Sequence, residues 1–186
     1  MKRPVAVNDI ADRRQAWRHR GQSRPAFAVA PRAGQESVWD YPRPPAIVGD
    51  ERLVEVRLGG ELIARSARAL RVLETASPPT FYLPPEDVAM ARLEPAAGNS
   101  FCEWKGQARY FDVRAAGRIA ARAAWCYPEP FSEFAAIAGY ISFYPGRVDC
   151  WVGGEQVQPQ TGGFYGGWVT DEIVGPFKGE PGTGGW

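Results

Sequence analysis

Lysine is the scarce cation of this chain, and its placement is the first chemical signal. Only Lys2, Lys105 and Lys178 occur, against nineteen arginines. Two of the three stand in one pattern of aromatic, lysine, glycine: Trp104-Lys105-Gly106 and Phe177-Lys178-Gly179. An ammonium offers a point charge or a nucleophile, roles that a planar guanidinium does not fill. Lys105 also follows Cys102 by three residues, and a nearby ammonium favours the thiolate. Cys102 and Lys105 are therefore the candidate catalytic pair, for anion binding or covalent chemistry. The competing reading is a surface lysine before a turn glycine, beside a small buried cysteine.

Aromatic residues make up 12% of the chain. Tyr82, Trp104, Tyr110, Trp125, Tyr127, Tyr144 and Trp151 come from separate strand-like stretches and can line one concave face. Such a face binds planar or cationic ligands by stacking and cation–π contact, worth roughly 0.5–2 kcal/mol each. The same rings would serve equally as a core between two sheets. Tyr82, Trp104, Trp125, Tyr127 and Tyr144 are taken as ligand-binding candidates, with Glu74 and Glu86. Glu74, Glu86 and Asp87 would form a carboxylate group if their segments converged, although Glu86 and Asp87 also suit the first turn of a helix.

Several chemistries are disfavoured. Three cysteines and one histidine do not make a convincing four-ligand zinc set, and no metal site is expected. His19 lies in a tail-like segment, remote from any Ser-His-Asp relay. No G-x-x-x-x-G-K-[ST] loop is present, nor a G-x-G-x-x-G after a strand. The cofactor is left open, as is whether the protein is an enzyme.

The elements that must hold these residues read as strands. Leu53–Leu58, Gly59-Gly60 and Glu61–Arg65 form a hairpin pattern, with the glycines supplying the turn. Leu70–Glu74 and Thr80–Leu83 follow, then Pro84-Pro85-Glu86-Asp87 as the start of a short helix to Leu93. Ala108–Arg114 alternates, Gly117 marks a turn, and Arg118–Tyr127 returns. Tyr140–Tyr144, Pro145-Gly146 and Arg147–Val152 read as a second hairpin. The expected fold is mainly β: two packed antiparallel sheets, tent-like or a partly open barrel, with one or two short helices.

Residues 1–36 are set apart. They carry eight basic and three acidic residues and few aliphatics, the composition of a disordered tail, with a short Arg-rich helix possible from Asn8 to Arg20. Residues 37–186 form a single domain whose end, from Thr161, is rich in glycine and aromatics. An odd set of cysteines argues against a disulfide framework and for a reducing cytoplasm. No apolar run approaches the ~20 residues of a membrane-spanning helix, so no membrane partner is expected, and Met1–Ile10 lacks the apolar stretch of a secretory signal. Oligomeric state is left open.

Longer motifs carry a family resemblance. They include Glu36-Ser-Val-Trp-Asp-Tyr-Pro-Arg-Pro-Pro45, Arg68-Ala-Leu-Arg-Val-Leu-Glu-Thr75, Tyr82-Leu-Pro-Pro-Glu-Asp-Val88 and Phe101-Cys-Glu-Trp-Lys-Gly106. Ala124-Trp-Cys-Tyr-Pro128, Phe143-Tyr-Pro-Gly-Arg-Val148 and Gly163-Phe-Tyr-Gly-Gly-Trp168 complete the set. In this order and spacing they resemble the bacterial and fungal family called domain of unknown function 427, over about residues 36–186. The resemblance implies a small β-tent-like domain, without the paired Cys-x-x-Cys zinc ligands of many tent proteins. The family also carries a nucleotidyltransferase label, but the Gly-Ser and two-carboxylate signature of polymerase-like transferases is absent here. Three readings follow: a small-ligand-binding domain with an aromatic pocket, a magnesium-dependent nucleotidyltransferase, or a protein- or RNA-interaction module using the basic tail.

Overall fold

The computed structural model describes residues 7–186. Residues 1–6 of the basic segment, including Lys2 and Arg3, lie outside the described residues. A helix, α1 (Val7–Gln15), comes first, then the two-residue β1 (Glu36–Ser37). Next come β2 (Ala46–Asp50), β3 (Val54–Leu58), β4 (Glu61–Ser66), β5 (Ala69–Glu74) and β6 (Ser77–Tyr82). The longest strands are β7 (Leu93–Cys102), β8 (Gly106–Ala115) and β9 (Arg118–Cys126). β10 (Ile141–Phe143) and β11 (Asp149–Val152) precede the short β12 (Glu155–Gln156), β13 (Gln158–Pro159), β14 (Trp168–Val169) and β15 (Ile173–Val174). The protein is mainly β, with several antiparallel sheets and no closed barrel among the described residues.

One sheet has the order β10-β9-β8-β7, a second β12-β11-β3-β4, and a third β2-β5-β6. The β3–β4 hairpin turns at Gly59-Gly60 as its sequence indicates. The second expected hairpin does not form. Ile141–Phe143 pairs with β9, whereas Asp149–Val152 pairs with β3 in the opposite sheet. Pro145-Gly146 thus carries the chain across the core instead of folding it back.

The helix expected over Glu86–Leu93 is replaced by two 3-10 turns, Pro85–Asp87 and Met90–Arg92. Val88 is drawn out of any helix by an isolated bridge to Ala64, and the Ala89 N–H donates to the Ile63 carbonyl at 2.8 Å. Eight residues offer too few helical bonds to compete with burying Val88 in the core.

Alternation along the strands builds two apolar regions. Val54, Val56, Ile63, Phe81, Leu83, Val113, Ala124, Ile141, Phe143 and Trp168 belong to the main core. Trp168 is fully buried, stacks on Phe81 at 4.9 Å and donates its indole N–H to the Phe143 carbonyl at 3.0 Å. On the opposite face of the same strands lies a separate aromatic cluster containing Tyr82, Trp104, Tyr110, Trp125 and Tyr127. Neighbours in sequence therefore serve different regions: Ala124 and Cys126 the core, Trp125 and Tyr127 the cluster. On β8 the alternation changes phase, because the register with β9 slips between Phe111 and Val113. Arg122 at φ 48° marks the bulge, and its N–H donates to the Asp112 carboxylate at 2.7 Å. Ala108 and Tyr110 consequently face the cluster, while Val113 and Ala115 face the core.

α1 and the residues following it run along this body. Arg14 donates to the Glu103 carbonyl at 2.7 Å and pairs with Glu133 at 3.2 Å. Arg24 pairs with Asp40 at 2.6 Å. His19 meets the edge of Trp39 at 5.1 Å in a small cluster that also holds Phe27 and Trp186. No described helix is long and apolar enough to cross a membrane.

Candidate functional site

The aromatic cluster is not filled to its edge. A cavity of about 200 Å³ opens into it, bounded by β5 and β6 on one side and by β7, β8 and β9 on the other. Tyr110 and Trp125 are directly opposed across the β8–β9 ladder. Trp125 meets Tyr144 at 4.4 Å, between ring centroids, and Tyr82 edge-on at 6.3 Å. Such tilted and edge-on pairs are the arrangements that aromatic quadrupoles favour.

The expected site residues divide plainly. Tyr82, Trp104, Trp125, Tyr127, Tyr144, Glu74, Cys102 and Lys105 all line this cavity. Glu86 does not. It is exposed on a 3-10 turn, 3.8 Å from Arg68, which binds Asp87 at 2.9 Å. Glu74 pairs instead with the buried Arg43 at 3.2 Å. Glu86 and Asp87 thus share Arg68 while Glu74 goes to Arg43, and no group of three or more metal-ligating side chains occurs among the described residues.

Both lysines of the repeated motif reach the same cavity. Lys105 sits in the turn that joins β7 to β8, where Gly106 adopts φ 93° and faces Cys102 across the ladder. Lys178 follows β15. Its backbone N–H donates to the Ala76 carbonyl at 2.7 Å, and its carbonyl accepts from the Gln160 amide at 2.6 Å. Gly179 adopts φ 132°, and a Cβ there would overlap the Thr161 carbonyl oxygen. In each motif the glycine therefore permits a backbone path that delivers the lysine inward.

The two amines sit in contrasting environments. Lys105 is 9% exposed and forms no ion pair among the described residues. Its Nζ lies 5.8 Å from the Tyr127 ring centroid and 6.0 Å from that of Phe134. Burial alone would weaken its ammonium, but Cys102, Tyr82 and Glu74 outweigh burial, and its pKa is raised. Lys178 is 4% exposed, with Nζ 3.5 Å from the Trp17 ring centroid. Burial pushes its pKa down to about 8; Glu74 opposes the shift and Arg43 adds to it.

The buried phenols Tyr82 and Tyr127 stay protonated. Burial pushes Tyr82 up to about 12 and raises Tyr127 well above the usual phenol range. Cys126 and Cys150 are raised by burial as well, so these thiols are structural. Cys102 is a free, half-buried thiol on the cavity wall. One donor is left over: the Trp104 indole N–H is buried without a partner among the described residues. Buried donors are rarely left unpaired in a folded protein.

Sequence reasoning did not assign Trp17, Gln160, Tyr165 or Lys178 to the cavity, which all four line. For Lys178 the signal was present in the duplicated aromatic-Lys-Gly pattern. Trp17 lay in the segment set apart for its charge, and its N–H to Glu103 contact at 2.8 Å spans 86 residues.

Residues 46–154 match the family model described as Domain of unknown function (DUF427) and labelled NTP_transf_9, and the chain belongs to that family. The match covers the cavity wall from Glu74 to Tyr144 and both 3-10 turns. Trp17, Gln160, Tyr165 and Lys178 lie outside it. No curated protein matches the chain.

Proposed function

We propose that this DUF427 member is a small-molecule-binding domain whose ligand is compact, flat and anionic. The observation that carries this reading is the buried Lys105, without an ion pair among the described residues, on the wall of an aromatic cavity. A buried cation without a counter-ion is costly, and an anionic ligand supplies one. The aromatic walls favour a planar body by stacking. The Trp104 indole N–H offers a directional contact to a ligand oxygen. A volume of about 200 Å³ falls below the roughly 300–1,000 Å³ of pockets for drug-sized ligands, which argues for a compact occupant. In this reading residues 37–186 are the binding domain, and the basic segment before them covers its mouth through Trp17.

The nucleotidyltransferase reading receives no specific support from these contacts, since Glu74 is engaged by Arg43, apart from Glu86 and Asp87 on Arg68. Thermal unfolding separates the two. Benzoate, salicylate and nicotinate are tested against nucleoside triphosphates with magnesium. A ligand at 100 times its dissociation constant adds roughly 2.7 kcal/mol, a rise of several degrees in Tm. A rise with an aromatic carboxylate, lost in Lys105→Met, is the expected result. A magnesium-dependent rise with a nucleotide alone would overturn the reading.

A further inference from the structure

The structure assigns Lys178 as an imine-forming amine that takes a compact aldehyde or ketone bearing an anionic group, with Lys105 holding that group. This rests on the binding reading above and adds a covalent step to it.

Lys178 lines the cavity, is 4% exposed and has no ion pair among the described residues, and its Nζ lies against the Trp17 ring. Its backbone is fixed from both sides, by Ala76 and by Gln160. Gln160 is itself buried, and its side-chain oxygen accepts from the Gly167 N–H at 3.1 Å. One residue thus ties the lysine to the glycine-rich loop over the cavity. Once a ligand fills the cavity, its aromatic walls would limit the water that hydrolyses an imine.

The division of labour between the lysines follows. Two like groups whose environments drive their proton affinities apart take different roles. Lys105 keeps its proton and serves as a fixed positive charge. Lys178 is weakened by burial and by Arg43, against Glu74, Glu103 and Cys102, which favour its charge. Desolvation beside another cation is an established way to free a lysine lone pair. That lone pair attacks the carbonyl carbon to give a carbinolamine. The nitrogen loses its protons, the oxygen leaves as water, and a C=N bond replaces C=O. No oxidant or reductant is needed for this step.

The composition of the chain makes the test sharp, because only three lysines compete for the label. The full-length protein is incubated with 3- or 4-formylbenzoate, reduced with cyanoborohydride and mapped by peptide mass spectrometry. The expected result is a single adduct on Lys178, formed faster as pH rises from 6 toward 8 and suppressed by excess benzoate. Lys178→Arg abolishes it at unchanged fold, judged by Tm and circular dichroism. The competition with benzoate uses only the native sequence, so the test survives a variant that fails to fold. Labelling confined to Lys2 or the N-terminal amine overturns the assignment. So does labelling of Lys178 that benzoate does not suppress while benzoate raises Tm. Absence of any Lys178 adduct, with benzoate still raising Tm, overturns the imine and leaves the binding reading standing. No Tm rise with benzoate overturns the binding reading instead.

Discussion

Gly166 lies against the six-membered ring of Trp125, so close that a Cβ at this position would overlap the indole carbons. The glycine-rich loop therefore reaches over the cavity only because this residue has no side chain. Gly166→Ala forces either the loop or Trp125 to move. Overpacking of this kind costs about 1–3 kcal/mol. The expected outcome is a lower Tm together with weaker binding of benzoate, measured by titration calorimetry. Gly185→Ala, at a glycine with open space around it, serves as the neutral comparison.

Trp104→Phe separates ligand binding from folding. The indole N–H has no partner among the described residues, so removing it breaks no hydrogen bond there. Stability is expected to change little, apart from a small packing term. Ligand affinity is expected to fall by about 1 kcal/mol, the net value of one hydrogen bond. Equal losses in Tm and in affinity would place Trp104 in the core alone.

Much of this site was legible from residue type and alternation. Tyr82, Trp125 and Tyr127 alternate with Phe81, Ala124 and Cys126, and that period of two sends each set to its own face. What alternation does not carry is partner choice. Ile141–Phe143 and Asp149–Val152 both read as strands, and Pro145-Gly146 as a turn, yet the segments join different sheets. A Pro-Gly turn marks a change of direction and leaves the destination open. The bulge at Asp112 and Arg122, which turns Tyr110 toward the cluster, has no glycine to announce it. Lys178 and Trp17 reach the cavity through contacts across most of the chain length, which local pattern cannot register. Glu86 shows the opposite failure: a suggestive neighbour of Asp87 in sequence, it is satisfied locally by Arg68.

The lysines should titrate apart. With Cε-labelled lysine, the chain gives three resonances, assigned by single Lys→Arg variants. The Lys178 signal is expected to titrate near 8, below its ordinary 10.5, and the Lys105 signal to remain protonated through that range. The sign of the stability effect follows by linkage. Between pH 8 and 10.5 the unfolded chain holds a proton that folded Lys178 has released. Stability therefore rises with pH across this window relative to Lys178→Met, which denaturant titrations at several pH values measure. A parallel pair of curves would show that Lys178 titrates normally.

In the binding reading, Trp17 on the cavity wall gates access. Its ring lies 3.5 Å from Lys178 Nζ and 4.4 Å from the Arg43 guanidinium carbon, and its N–H is held by Glu103. Cation–π contacts are worth roughly 0.5–2 kcal/mol each, so Trp17→Ala is expected to lower stability modestly while opening the cavity to solvent. Association of salicylate, followed by its own fluorescence in stopped flow, is expected to accelerate several-fold, with dissociation accelerating in step. A structural role without gating would lower Tm and leave both rates unchanged. Salt supplies the complementary test, because Trp17 is anchored to Glu103 by hydrogen bonding, whereas Arg14 adds a partly exposed pair with Glu133. Raising ionic strength screens the exposed pair and, in both proteins alike, the attraction for the anion, so the excess of the Trp17→Ala association rate over the native rate is expected to shrink as salt rises.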